Sequence, residues 1–335
     1  MLYAENKSHI SEDICFYITA DNHKWSYLFD CGRARYLRNH ECKTLKAIFI
    51  THTHIDHFCN FDTLLRHQIS CGRTFTICGP PGLAKNVQAK ALSYTWNLIK
   101  KKSVTYKIVE LGPEGIRTFV IFPPKWELEE IKSDNLDESV CFDDEGITVK
   151  YTSLDHKIPS IAYAIEEQSK INIKDFPFKP GPSIKLLKDA YINKDDNLEI
   201  EFEKGKLMKA SDMYHCLYEK KGAHIGYAMD HLASKSNHKK LIDLWKDANE
   251  VIIEGFFRDC DKSYANRHFH STAKESGTVS RLANAKKMTL VHHSRRYFTE
   301  LEDLLEEGYA AFENRKPVYK IEPIAKFDGD DSPDE

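Results

Sequence analysis

The chain has nine cysteines but no Cys-x-x-Cys pair, so neither a disulfide framework nor a paired-thiol motif is written into its 335 residues. An odd number of unpaired thiols fits a reducing, cytoplasmic location. No apolar run approaches the ~20 residues that span a bilayer, and Met1–His9 lacks the apolar centre of a signal segment. There is no excess of positive charge: 48 Lys+Arg stand against 51 Asp+Glu, a formal net charge of −3. A global basic field for nucleic acid is therefore excluded, and any polyanion must be gripped by a local patch. No internal repeat of ~20–50 residues is visible. What remains is a soluble cytoplasmic protein with chain enough to bury one large core or two modest ones.

Against these absences, aromatic and β-branched content predicts strands over 13–20, 26–30 and 47–51. Phe58, Phe61, Leu64, Leu65 and Ile69 recur at helical spacing. Further strands are expected at 74–78, 106–111, 117–122, 147–153 and 160–166, with a helix over 83–96. The last third alternates strand and helix: strands at 225–229, 251–253 and 288–291, a helix over 234–247, and one capped by Ser271 running to about 285. Thr299 and Glu302 have capping-box spacing and predict the start of the last helix. Lysines, acids and Pro177, Pro180, Gly181 and Pro182 break all periodicity between 167 and 212, so this stretch is expected to leave the domain as an arm. The expected organisation is one domain over 1–327 carrying that arm, then a disordered acidic tail at 328–335.

The chemistry is concentrated in His52-Thr53-His54-Ile55-Asp56-His57, directly after the apolar stretch 47–51. Side chains alternate in such a loop, so His52 and His54 can meet on one ion while Asp56 and His57 address a second. Imidazole and carboxylate suit zinc, with manganese or iron possible. Two ions need more donors, and the C-terminal ends of other predicted strands supply His156, Asp230 and His292.

These residues give the chain a resemblance to the metallo-β-lactamase superfamily and, within it, to the ribonuclease Z family of tRNA 3′-processing endonucleases. The resemblance runs from about Asp13 to Tyr297. It is carried by Phe29-Asp30-Cys31-Gly32, by Ile50–His57, by His156–Ser160, by Pro180-Gly181-Pro182, by His270-Ser271-Thr272 and by Leu290–Tyr297. It implies an α/β fold, an αββα sandwich of two mixed sheets flanked by helices, with an inserted arm. It implies two divalent ions: one on His52, His54 and His156, the other on Asp56, His57 and His292, with Asp230 between them. His270 is implied as general acid, oriented by Glu254, and Asp56 as the second catalytic group. His293 is the rival of His292, and the register of the pattern favours His292. The substrate is expected to be tRNA precursor or other RNA, gripped by arm lysines Lys179, Lys185 and Lys188, in a cytoplasmic homodimer. A cyclic-nucleotide phosphodiesterase of the same fold is the alternative, and a non-catalytic metal-bound module a third. Ile55 stands where the family has a small glycine and is expected to crowd or reshape the pocket floor. Met229-Asp230-His231 and Ile253-Glu254-Gly255-Phe256 also depart from the family strings.

Overall fold

Alternation along the strands decides which layer each side chain enters. In the computed structural model, which describes residues 1–9, 13–21, 23–101, 103–132, 139–321 and 323–325, the first half forms one sheet. Its strands are β1 (Leu2–Asn6), β2 (Phe16–Ala20), β3 (Ser26–Phe29), β4 (Leu45–Phe49), β5 (Thr74–Gly79), β6 (Thr105–Gly112), β7 (Gly115–Ile121) and β8 (Glu129–Ile131), paired in chain order. The middle pairs from β3 to β6 are parallel and the outer ones antiparallel. The chain continues through β9 (Val140–Asp144), β10 (Ile147–His156) and β11 (Ile158–Glu167). It then runs through an excursion holding β12 (Lys170–Ile173), β13 (Glu199–Glu203), β14 (Lys206–Lys209) and β15 (Leu217–Lys220). It returns as β16 (His224–Ala228), β17 (Glu250–Glu254) and β18 (Met288–Val291). The second sheet has the order β18-β17-β16-β11-β10-β9.

Phe29, Ala47 and Phe49 on one sheet face Tyr163, Tyr227 and Ile252 on the other and form the central core. Their neighbours Leu28, Ile48 and Ile50 point the other way, into a layer with the helices Phe61–Gln68 and Leu83–Leu92. Ala228, Val251, Ile253 and Leu290 meet the helices Lys235–Leu244, Ala273–Leu282 and Leu301–Phe312. Helix, sheet, sheet and helix thus stack in four layers, as the αββα reading expects. Two side chains stitch the layers together. Tyr163 Oη donates to Ile50 O at 2.7 Å, and Trp245 Nε1 donates to Tyr163 O at 3.0 Å. Gly226 leaves room for that indole: a Cβ there would stand 2.6 Å from the Trp245 ring.

β16, β17 and β18 are parallel, so their C-terminal ends share one edge. β10 turns back at Lys157, in the left-handed region at φ 62°, into β11, which is antiparallel to β16. β10 therefore ends on that same edge. In the first sheet β4 also ends there, since Ile161 N donates to Thr51 O at 2.8 Å just beyond β4.

Several local expectations shift. The cap of the helix Ala273–Leu282 is Thr272, in a capping box with Glu275, and not Ser271. Ser271 Oγ instead pairs with Ser276 Oγ. No capping box opens the last helix: a 3₁₀ turn, Arg295–Glu300, leads into Leu301–Phe312. The helix expected over 83–96 ends at Leu92, and Leu2–Asn6 adds a strand that its mixed polarity concealed. The acidic segment 328–335 lies outside the described residues.

The chain divides into two compact units, one of Met1–Glu166 with Ala223–Glu335 and one of Glu167–Gly222. The second contains the stretch expected to form an arm. It pairs β12 with β15 and β13 with β14, and carries a helix, Pro182–Asn193, over its own core of Leu187, Ala190, Ile200, Phe202, Ala210, Met213 and Cys216. Lys179 lies just before this helix and is exposed; Lys185 is exposed on it, and Lys188 is half-buried.

Candidate metal centre

Each side chain at the sheet edge is held from behind. His57 Nδ1 lies 3.0 Å from Asp30 Oδ2, His52 Nδ1 3.0 Å from Thr51 Oγ1, and His156 Nδ1 2.8 Å from Phe269 O. In each case a donor hydrogen on Nδ1 leaves the Nε2 lone pair facing the centre, the arrangement that suits a metal ligand. Asp30 organises much of this. Its buried carboxylate accepts from Thr51 N at 2.7 Å and Tyr227 Oη at 2.9 Å, and Thr51 Oγ1 is within 3.1 Å of both its oxygens. One carboxylate thus supports His57 directly and His52 through Thr51. The sequence resemblance includes Asp30 without assigning it a task. The available signal is an acid closing the apolar run Tyr27-Leu28-Phe29 at a strand end, as the histidine run closes β4.

Among the described residues, three groups of side chains have donor atoms close enough to hold an ion: His52, His54, His156 and Asp230; Asp56, His57 and His292; and Asp230, Glu254, His270 and His292. All seven residues expected as ligands fall in these groups, and His293 does not. His293 Nδ1 turns away to Gly255 O at 2.9 Å. His292 is turned into the centre by a left-handed backbone at φ 54°, a sparsely populated region for a residue other than glycine.

The spacings fit a cation. Donors bound at about 2.0–2.1 Å around a tetrahedral ion stand about 3.3–3.4 Å apart. Asp230 Oδ2 is 3.5 Å from His52 Nε2 and 3.7 Å from His156 Nε2. Asp56 Oδ2 is 3.3 Å from His57 Nε2 and 3.1 Å from His292 Nε2. Among the described residues the buried Nε2 atoms of His52 and His57 have no hydrogen-bond partner, although both residues are fully buried.

Electrostatics point the same way. Asp30, Asp56, Asp230 and Glu254 gather here, and among the described residues none is paired with lysine or arginine. Buried carboxylates are costly unless positive charge compensates them. Burial works to raise the Asp230 carboxyl, but His292, His270 and His57 outweigh it and hold it well below the usual range. Asp56 is likewise held down against its burial by His57 and His292, whose imidazoles the carboxylates raise in turn, so that without a cation the rings themselves carry the compensating charge. Burial lowers His52 to about 4, keeping it neutral and free to ligate.

His270 adjoins this centre, its ring 5.0 Å from that of His156 and 6.1 Å from that of His292. Its Nδ1 is 2.8 Å from Glu254 Oε2, and its ring stacks on Phe256 at 4.1 Å and 11°. Glu254 is fully buried at the end of β17, and its Oε1 accepts from His231 N at 2.7 Å. The His231 ring, also fully buried, lies 3.1 Å from that oxygen, a neighbour that sequence reasoning missed. Ile55 corrects another expectation: it is 77% exposed and fills no pocket floor. Lys179, Lys185 and Lys188 belong to the other compact unit.

Over residues 25–172 the chain matches the beta-lactamase superfamily domain. It is 25% identical over 313 residues to ribonuclease Z of Deinococcus radiodurans, covering 89% of this chain and 91% of the relative. It is 27% identical over 305 residues to ribonuclease Z of Bacillus thuringiensis (strain Al Hakam), covering 86% of this chain and 85% of the relative. The crystal structure of human tRNase Z, short form, superposes with a TM-score of 0.53 at 21% identity, over 88% of this chain and 90% of that one. No helix among the described residues is long and apolar enough to cross a membrane. By these likenesses the chain resembles ribonuclease Z along most of its length and shares its fold with the human tRNase Z structure.

Proposed function

We propose that the chain is a metal-dependent endoribonuclease that hydrolyses a phosphodiester bond in precursor tRNA, with two zinc ions in the centre and manganese as the other candidate. The observation that carries this reading is Asp230, which is shared between the His52–His54–His156 group and the group with His270 and stands 2.7 Å from His292. Divalent cations, when bound there, would supply an activated water at neutral pH and neutralise charge on the phosphate oxygens.

The chain's own residues do the rest. His52, His54 and His156 would hold one cation, and Asp56, His57 and His292 the other. Asp56 stays ionised and accepts a proton from the attacking water. His270 donates to the leaving alkoxide through Nε2, since Glu254 occupies its Nδ1 at 2.8 Å. The Phe256 ring fixes the imidazole plane. Lys179, Lys185 and Lys188 grip phosphates along the RNA. All nine cysteines are free, which fits work in a reducing cytoplasm.

The test is a pair of assays on the purified protein. Incubated with precursor tRNA carrying a 3′ trailer, it should release the trailer; incubated with cyclic mononucleotides, it should leave them intact. The reverse result replaces this reading with a small-substrate phosphodiesterase. Inertness toward both, and toward bis(p-nitrophenyl) phosphate, leaves a metal-bound binding module.

A further inference from the structure

A chain of net charge −3 must concentrate positive charge wherever it meets RNA, and one such concentration adjoins the metal loop. Directly after Asp30 the sequence reads Cys31-Gly32-Arg33-Ala34-Arg35-Tyr36-Leu37-Arg38. Arg33, Arg35, Tyr36 and Arg38 are exposed, while Ala34 and Leu37 pack against the core behind the first sheet. The apolar pair anchors the segment and turns the three guanidinium-bearing positions outward.

An ordinary solvated charge run is free to move, whereas this one is pinned to the centre. Cys31 N donates to His57 O at 2.8 Å, Asn60 N to Cys31 O at 2.9 Å, Gly32 N to Ile14 O at 2.9 Å and Tyr36 N to Lys7 O at 3.0 Å. Arg33 N donates to Asp13 Oδ2 at 3.0 Å. Gly32 lies so close to the loop that a Cβ on it would stand 1.9 Å from Asp56 O. Arg33 therefore begins one residue from the backbone of a carboxylate that faces the centre. Neither Arg33 nor Arg38 is in an ion pair with another described residue.

We infer that Arg33, Arg35 and Arg38 form an RNA-phosphate grip beside the metal centre, with Tyr36 presenting a ring on which an unpaired base stacks. Guanidinium groups match phosphate oxygens in geometry as well as charge. Exposed aromatic rings next to such groups suit single-stranded RNA, whose bases are splayed from the helix. The grip rests on the RNA-cleaving reading and deepens it. It lies within the same compact unit as the metal residues, so it holds the strand close to the bond to be cut.

The test is a salt series of precursor tRNA cleavage by the full chain and by the R33Q/R35Q/R38Q variant, with R33Q/R35Q as a second variant should the triple one fold poorly. Metal content and melting temperature report that the fold is intact. For the triple variant KM should rise about tenfold or more near physiological salt, and the log–log salt slope should fall by about 2–3, roughly one for each phosphate no longer neutralised. An unchanged KM and slope, with the parent protein cleaving RNA, overturns the grip alone. An equal loss against bis(p-nitrophenyl) phosphate, which carries no neighbouring phosphates, assigns the effect to the metal centre and also overturns it. A parent protein that hydrolyses the small diester but not RNA overturns the RNA reading and the grip with it.

Discussion

The two halves of the candidate metal centre are built in opposite ways. One half, His52 to His57, is a single loop after β4, held by short hydrogen bonds to Asp30 and Thr51. The other half is assembled from residues at 156, 230, 254, 270 and 292, each at or near the end of a different segment. The first half needs one strand end to be in place. The second needs three parallel strands in register and a helix beginning at Ala273, because only their common edge brings the donors within reach. A compact motif tolerates sequence drift around it, while a dispersed set depends on the whole sheet.

Removing the residue that joins the halves should have the largest effect. Asp230→Asn is expected to strip metal from both groups and to lower turnover by about 10³-fold or more, since the bridging charge and the activated water are lost together. Metal analysis alongside a rate assay checks this, and full metal occupancy in the variant would separate the halves. Next comes the dispersed half alone. His270→Ala should keep its metal and lose about 10²–10⁴-fold in rate, the usual range for a missing proton donor. Loss of metal instead would make His270 a ligand, as its presence in a group with Asp230 and His292 allows.

The contiguous half is tested through its support. Asp30→Asn should weaken metal affinity by about 10–100-fold, because His57 and, through Thr51, His52 lose the partner that orients them. A competition titration with a chelating dye reads it directly. The smallest effect is expected from the framework of the dispersed half. Thr272→Ala removes the helix cap just after His270 and should cost about 1 kcal/mol in denaturant melts. A larger loss of activity than of stability would mean that the cap also positions His270.

The same contrast explains what is legible in the residues alone. His52 to His57 announce themselves by composition, and the apolar stretch before them marks the strand that holds them. The alternating last third of the chain exposes most of its strands and helices, because parallel strands in a two-layer core are uniformly apolar. Sequence pattern ranks His292 above His293 and goes no further: neighbouring histidines differ only in a backbone angle, and φ 54° at His292 is what turns it inward. Asp30 is harder still, since nothing local distinguishes a strand-end acid that supports two histidines from one facing solvent. Thr272 displaces Ser271 as cap because the capping box with Glu275 satisfies two donors at once. The internal order of residues 167–222 is hidden for a different reason. Its elements are short and its core small, so charged residues outnumber the apolar signal.

By itself the sequence determined the chemistry on offer: imidazoles and carboxylates in a tight run, nine cysteines without a Cys-x-x-Cys pair and a net charge of −3. The tertiary structure decided that His156, Asp230 and His292, already candidates in the sequence, reach that run, because convergence at the sheet edge depends on strand direction and register. It also decided that the segment carrying Arg33, Arg35 and Arg38 runs beside the metal loop, through the backbone bonds of Cys31 to His57 and Asn60 and the close approach of Gly32 to Asp56.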